Sequence, residues 1–259
     1  MKTILFFSLL FCFTSLSYAK KISAEACAIQ KGQFIFAGGE CIQYVEIEGE
    51  KKETITIIVH GTWKEHTDTL SRYTPFAETI NMATDITTIA IALPGYSHSS
   101  TNHLQALSHK GSENLAESKA YLSFLAELIT ALKKTYRAKT VNYIGHSAGA
   151  MMGATLTGMK PSLINRIALA GGRYTTHPSN KTKDRLSINT YIERVDKKTK
   201  YLLIYGTEDK ISKPQATKDF YTLAKKHGLD VTLVEVKGAA HLDLDMTDTS
   251  IEAIEAILE

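Results

Sequence analysis

The pentapeptide Gly-His-Ser-Ala-Gly at residues 145–149 constrains the fold of this 259-residue chain more than any other feature. It follows the apolar run 141–144 and precedes 150–156, whose small and apolar residues are typical of a helix. Glycines two places to either side of a serine predict a tight turn, because a side chain there would collide with neighbouring backbone. The turn would place Ser147 at a helix N-terminus, where free N–H groups favour negative charge.

Short apolar runs recur along the chain, and the pentapeptide follows one of them. Such nearly continuous, β-branched runs are typical of strands buried on both faces of a parallel sheet. We predict these strands at residues 54–59, 86–93, 141–144, 164–170, 201–205 and 231–236.

The opening of the chain predicts an antiparallel pair at residues 33–36 and 42–47, followed by a polar turn at 48–53. Two helices follow from local patterns. One begins at Thr74-Pro75, with proline at its first position, and runs to about residue 82. The other runs from 114 to about 134 and has one apolar stripe.

The glycine-flanked serine, the His60-Gly61 pair after strand 54–59 and the Pro-Gly-Tyr loop at 94–96 resemble the α/β-hydrolase superfamily. The resemblance extends from about Gln33 to the C-terminus. It implies an α/β fold with a mostly parallel central sheet and helices on both faces. It also implies an enzyme, a carboxylesterase-like serine hydrolase.

The resemblance assigns roles in the chain order serine, acid, histidine. Ser147 would be the nucleophile and His241 the general base, after the last strand. Asp209 would orient the imidazole, since the pattern Gly-x-x-Asp follows the penultimate strand. Glu208 is the alternative acid.

The same resemblance implies an oxyanion hole made by the backbone N–H groups of Thr62 and Ala148. Trp63 either lines a substrate pocket or packs within its loop. We expect His60 to pack or hydrogen-bond behind that loop, and His146 to order the turn around the serine.

The insertion between residues 172 and 200 is short and highly charged, in the place where this superfamily usually carries a lid. A lipase lid needs a broad apolar face, so we expect a small or water-soluble ester as substrate. The polar stretch 97–112, which contains three histidines, is interpreted as a solvated loop.

No cofactor is required for this chemistry. The cluster at residues 241–245 superficially resembles a metal site, but no zinc-binding spacing supports a metal. Asp243 and Asp245 are more plausible as residues that cap or begin the final helix.

Residues 1–19 predict a secretory signal peptide, with Lys2 as a positive start, an apolar segment at 4–13 and a small-x-small cleavage site at 17–19. The mature chain, 20–259, would then be a single exported domain, periplasmic or secreted, without a membrane span. In that compartment the remaining cysteines, Cys27 and Cys41, predict a disulfide. Two separate buried thiols are the alternative.

The formal net charge is only +3, and acidic and basic residues are interspersed, so nothing indicates nucleic-acid binding. Two other functions stay open. One is a serine peptidase or amidase with the same three residues, which a pocket acid for a substrate amine would favour. The other is a binding protein of the same fold without catalysis.

Overall fold

The computed structural model describes residues 21–112, 114–175 and 185–259. The predicted signal peptide, 1–19, and the central part of the charged insertion, 176–184, lie outside the described residues. The strands are β1 (Phe34–Ala37), β2 (Glu40–Ile47), β3 (Lys51–Val59), β4 (Ile86–Ile91), β5 (Thr140–His146), β6 (Arg166–Ala170), β7 (Lys200–Gly206) and β8 (Asp230–Val236). The helices are α1 (Ala24–Ala28), α2 (Thr69–Thr84), α3 (Lys119–Thr135), α4 (Ala148–Met159), α5 (Pro214–Lys226) and α6 (Asp248–Leu258).

The strands form one sheet in the order β1-β2-β4-β3-β5-β6-β7-β8. Strands β3 to β8 are parallel, while β2 pairs antiparallel with both β1 and β4. The carboxyl ends of the six parallel strands therefore meet at one edge of the sheet. Ligands bind at this edge in open α/β sheets.

Helices cover both faces of the sheet, as the sequence predicted. Successive residues of β3 enter different apolar clusters: Ile57 and Val59 join the cluster that contains α3, α4 and α5, and Ile58 joins the one that contains α2 and α6. Because side chains alternate along a strand, a strand with helices above and below it needs apolar residues at every position. This requirement explains the unbroken apolar runs.

Two adjacent residues of β2, Glu40 and Cys41, join the N-terminal hairpin to other parts of the chain. Cys41 forms the predicted disulfide with Cys27 of α1. Glu40 is fully buried and accepts hydrogen bonds from the Ser100 hydroxyl and the backbone N–H groups of residues 102, 103 and 104, at 2.5–2.9 Å. One carboxylate thus shapes the loop that follows β4.

The prediction for α2 was wrong at its start. The helix begins at Thr69, where the Asp68 side chain caps it by accepting a hydrogen bond from Ser71 N–H at 3.2 Å, so Pro75 lies inside the helix. The apolar side chains of Leu70 and Tyr73 in the first turns are buried. Their burial offsets the backbone hydrogen bond that the proline cannot make.

Two other boundaries also differ from the prediction. Residues 51–53, expected in a turn, extend β3 as exposed strand. Residues 115–117 form a separate 3₁₀ turn, and α3 begins only after Ser118, whose hydroxyl accepts from Tyr121 N–H at 3.2 Å. Both Asn114 and Ser118 are residue types that cap helices. The predicted start at residue 114 was wrong, because the cap of α3 is Ser118.

The final helix is capped differently from the prediction. The Thr247 hydroxyl accepts a hydrogen bond from Ser250 N–H at 3.2 Å and caps α6. Asp243 instead precedes a 3₁₀ turn at residues 244–246, and Asp245 is buried within that turn.

The Glu40 carboxylate generates a stability prediction. Glu40→Gln should lower the free energy of unfolding by about 2–3 kcal/mol, because an amide N–H₂ would face donors that need an acceptor. Urea unfolding followed by circular dichroism measures the change. The exposed Glu53→Gln variant is the matched control and should change stability by less than about 0.5 kcal/mol. Equal midpoints for the two variants would contradict the role of Glu40.

Candidate active site

The loops after β5, β7 and β8 bring Ser147, Asp209 and His241 together at the carboxyl edge of the sheet. His241 Nε2 lies 2.9 Å from Ser147 Oγ, and His241 Nδ1 lies 2.8 Å from Asp209 Oδ2. These are hydrogen-bonding distances. The three side chains therefore form a continuous series from hydroxyl to imidazole to carboxylate.

The turn at Ser147 has the strained geometry that its two glycines predicted. Ser147 itself has φ 53° and ψ −113°, a conformation that is unfavourable for a residue with a side chain. A Cβ on Gly149 would lie 2.2 Å from the Val59 carbonyl oxygen, and a Cβ on Gly145 would lie 2.7 Å from the Gly149 backbone. Glycine is thus required at both positions for α4 to start this close to β3.

Asp209, rather than Glu208, reaches the histidine. Asp209 is buried, and its Oδ1 accepts hydrogen bonds from the N–H groups of Ile211 at 2.9 Å and Ser212 at 2.8 Å. These two bonds hold the carboxylate in place and leave Oδ2 for His241. The neighbouring Glu208 is exposed.

His146 holds the loop of the proposed base. Its Nε2 lies 2.9 Å from the His241 carbonyl oxygen, and the two imidazole rings are 4.9 Å apart. The ring nitrogen donates to that carbonyl. The variable residue of the pentapeptide therefore binds the backbone of His241.

Thr62 and Ala148, the predicted oxyanion-hole residues, both line the cavity that contains Ser147. Ala148 is the first residue of α4, so its N–H has no partner within the helix. Among the described residues, neither amide donates a backbone hydrogen bond outside the regular elements. Both N–H groups are therefore free to bind a developing negative charge.

His60 lies behind the Thr62 loop, as expected, and it is a neutral residue. Its Nε2 accepts a hydrogen bond from Leu93 N–H at 3.1 Å, so Nδ1 carries the proton and donates to the Gly61 carbonyl at 2.6 Å. A second proton would place an N–H against the Leu93 N–H. Burial, the largest cause, lowers the pKa of His60 to about 4.

Trp63 is not among the residues that line the cavity. It packs against the apolar core, and the Arg72 guanidinium lies 4.8 Å from its ring centroid. Arg72 also forms an ion pair with Asp243. The structure therefore favours packing within the loop over the predicted substrate contact. The Trp63 ring contacts Arg72 of α2, and Arg72 in turn binds the loop after His241.

The loop after His241 has a buried polar interior. Burial first, and then the charge of Asp245, raise the pKa of Tyr73 far above its usual range. Among the described contacts, neither Asp243 nor Asp245 hydrogen-bonds His241. They support the loop and leave Asp209 as the partner of the imidazole.

Sequence reasoning missed part of the cavity wall. The cavity encloses about 550 Å³, and Glu117 and Arg173 line it together with Asn114 and Arg185. Arg173 and Arg185 lie in the described parts of the charged insertion. Glu117 lies in the 3₁₀ turn that was expected to be part of the helix. If the sequence analysis had placed the helix start after Ser118, Glu117 would have been predicted in the preceding loop.

The histidines of the polar stretch 97–112 lie outside this cavity. His103 Nδ1 is 3.1 Å from the Lys21 ammonium, and His109 Nδ1 is 3.0 Å from Glu65. Within residues 21–112, 114–175 and 185–259, no group of three metal-ligating side chains is arranged to hold a metal ion. Over the same residues, no helix is long and apolar enough to cross a bilayer.

Comparison with known proteins agrees with this architecture. The family described as alpha/beta hydrolase fold matches residues 57–188. The chain therefore belongs to the alpha/beta hydrolase family. A search of the curated proteins finds no match.

Solved esterases share the fold. Est1E from Butyrivibrio proteoclasticus, solved with ferulic acid bound, is 15% identical with a TM-score of 0.63, over 88% of this chain and 98% of that one. A Bacillus cereus carboxylesterase is 14% identical with a TM-score of 0.59, over 83% and 92%. The Pyrococcus furiosus esterase Pf2001 is 16% identical with a TM-score of 0.60, over 84% and 91%. Identities this low establish the fold alone.

The neutral state of His60 predicts a pH dependence of stability. Between pH 6.5 and about 4 the unfolded chain binds a proton at this residue that the folded protein does not. The folded state should therefore lose up to about 3 kcal/mol as the pH falls through this window and keep that stability above pH 6.5. Urea unfolding of the wild type and His60→Gln at pH 7.5 and 4.5 measures it.

The difference in unfolding free energy between wild type and His60→Gln should shrink by about 2–3 kcal/mol at the lower pH. His98→Gln, at an exposed histidine, is the control and should parallel the wild type. Parallel profiles for wild type and His60→Gln would contradict a neutral His60.

Proposed function

We propose that this protein is an exported serine hydrolase that cleaves small or water-soluble carboxylic esters through an acyl-enzyme intermediate. The observation that carries the proposal is the hydrogen-bonded series from Ser147 through His241 to Asp209. A serine hydroxyl is a weak nucleophile until an adjacent base accepts its proton. In this protein the base lies at hydrogen-bonding distance and its other nitrogen is oriented by a carboxylate.

The geometry supports the following reaction. Ser147 Oγ attacks the ester carbonyl carbon while its proton passes to His241 Nε2, and the carbonyl electrons form an oxyanion. The N–H groups of Thr62 and Ala148 stabilise that oxyanion. His241 then gives the proton to the leaving alcohol. Water next gives a proton to His241 and attacks the acyl-serine, and the tetrahedral intermediate releases the carboxylic acid as the proton returns to Ser147 Oγ. No cofactor takes part.

The polar wall of the cavity supports the choice of a soluble substrate. Arg173 and Arg185 of the insertion bring charge to the cavity, where a lipase would present apolar side chains. We therefore propose that short-chain esters are preferred and that activity does not rise when a substrate passes its solubility limit. The Cys27–Cys41 disulfide is compatible with the proposed export.

A peptidase or amidase is the second candidate, and Glu117 is the observation in its favour. A carboxylate in the cavity is what a substrate ammonium would need. Arg185 Nε, however, lies 3.6 Å from Glu117 Oε2, so positive charge already occupies that place. The ester reaction is therefore the better proposal. A binding protein without catalysis is disfavoured, because all three hydrogen-bonded side chains are retained.

The first test is Ser147→Ala. The variant should lose hydrolysis of p-nitrophenyl acetate and butyrate to background while its thermal unfolding stays close to that of the wild type, because the hydroxyl is the attacking group. Release of p-nitrophenol over a series of chain lengths, compared with release from aminopeptidase substrates, measures it. Undiminished hydrolysis by purified Ser147→Ala would refute the proposed mechanism.

A second test separates the two adjacent acids. Asp209→Asn should lower kcat by about 10⁴-fold, as the corresponding change does in trypsin, because the amide favours the wrong imidazole tautomer. Glu208→Gln should change kcat less than about twofold, since an exposed carboxylate contributes only a weak field. Stopped assays on p-nitrophenyl acetate give both values. If Glu208→Gln were the damaging change, the acid would have to be reassigned.

A further inference from the structure

The active-site cavity contains three charged side chains that the acyl-transfer steps do not use, Glu117, Arg173 and Arg185. Glu117 and Arg173 line the same cavity as Ser147 and His241. They come from separate parts of the chain, one from the 3₁₀ turn before α3 and the other from the loop after β6. Their presence beside the reacting groups is a property of the tertiary structure.

Glu117 has an acceptor without a donor. Its side chain is only 7% exposed, and among the described residues its Oε2 has no hydrogen-bond partner. Arg185 Nε, at 3.6 Å, neutralises charge but is too distant for a hydrogen bond. Burial raises the pKa of Glu117, and the charges of Arg185 and Arg173 oppose that rise. A buried carboxylate oxygen without a donor is costly, so a ligand that donates there would bind favourably.

The guanidinium of Arg173 has N–H donors that no carboxylate of the described residues binds. One Nη donates to the Ile211 carbonyl oxygen at 3.3 Å, and no carboxylate of the described residues lies within ion-pair distance of Arg173. Arginine carries five N–H donors. Most of them therefore remain available at the cavity wall.

The mixture of signs selects the ligand. An ammonium group that approached Glu117 would meet the positive charges of Arg185 and Arg173. A carboxylate could pair with Arg173, but it has no hydrogen to donate to Glu117 Oε2. Neighbouring hydroxyl groups can satisfy both side chains, because one hydroxyl can donate to Glu117 Oε2 while the next accepts from Arg173.

We infer that Glu117 and Arg173 recognise the hydroxyl groups of a neutral polyol, and that the preferred substrates are acyl esters of a sugar or similar polyhydroxy alcohol. The inference rests on the proposed ester hydrolysis and adds its substrate class. The alcohol portion would hydrogen-bond to the two side chains while the ester carbonyl lies at Ser147. The cavity volume is within the range of small-molecule sites.

A pair of matched acetates tests the inference. Methyl 6-O-acetyl-glucopyranoside and cyclohexylmethyl acetate both present a primary acetate on a six-membered ring, but only the first has hydroxyl groups. Acetate release in a pH-stat gives kcat/KM for each. We expect the wild type to prefer the sugar ester by about 100-fold, about tenfold for each of the two hydrogen bonds to a charged group.

Variants assign that preference to the two residues. Glu117→Gln and Arg173→Gln should each lower the ratio of the two kcat/KM values by about tenfold. Lys200→Gln is the control, because it also removes one positive charge from an exposed position. Lys200 is the first residue of β7, at the end of the strand away from the cavity, so this variant should leave the ratio unchanged. If Glu117→Gln does not fold, Arg173→Gln alone decides, because Arg173 is exposed.

Each other result overturns the inference. Equal kcat/KM for the two wild-type substrates, or an unchanged ratio in Arg173→Gln, would show that the hydroxyl groups are not recognised by these residues. Two further cyclohexylmethyl acetates, one with a ring carboxylate and one with a ring ammonium, test the rival chemistries. If the wild type preferred either charged ester over the sugar ester, the inferred substrate would have to be an anionic or an amine-bearing ester instead of a polyol ester. Hydrolysis of all four that does not depend on Ser147 would refute the proposed function instead.

Discussion

The contact between the first turn of α4 and the carboxyl end of β3 is the constraint on which the site depends. A Cβ on Gly149 would lie 2.2 Å from the Val59 carbonyl oxygen, so only glycine allows the helix to start there. Ser147, at this junction of β5 and α4, takes a positive φ of 53°. Ala148, the next residue, is the first residue of α4. The strain at one residue is thus maintained by tight packing around it.

Around that turn, polar groups hold one another in defined states. His146 binds the His241 carbonyl, Asp209 binds the His241 ring, and two backbone N–H groups bind Asp209. His60 must stay neutral to satisfy Leu93 and Gly61 at once. Because His60, His146 and Asp209 are buried, losing one of their partners would leave a buried polar group unsatisfied. Such a network favours a single arrangement of the loops that carry the reacting groups.

The cavity wall has a different origin from the reacting groups. Neither Glu117 nor Arg173 belongs to a recognisable motif, and neither lies in a strand or an α-helix. From the sequence, the charged insertion indicated only that an apolar lid is lacking. The sequence also left Trp63 undecided between pocket and packing. The structure places its ring beneath Arg72 and brings Glu117 to the cavity. The cavity wall is therefore built by loops, as is common for sites carried on a rigid sheet.

The sequence by itself predicted the parallel strands and the serine turn, and its resemblance to the α/β-hydrolase superfamily implied the helices on both faces and the roles of Ser147, Asp209 and His241. The strands and the turn depend on local signals, which are unbroken apolar runs and glycines at fixed positions. The start of α2, the cap of α3 and the residues of the cavity wall were decided by the tertiary structure. Their outcome depends on which side chains are buried against distant parts of the chain, as with Leu70 and Tyr73 in α2. The free energies of competing N-cap residues differ too little to decide where a helix begins. Burial of one large apolar side chain contributes about 1.5–3 kcal/mol and can decide it.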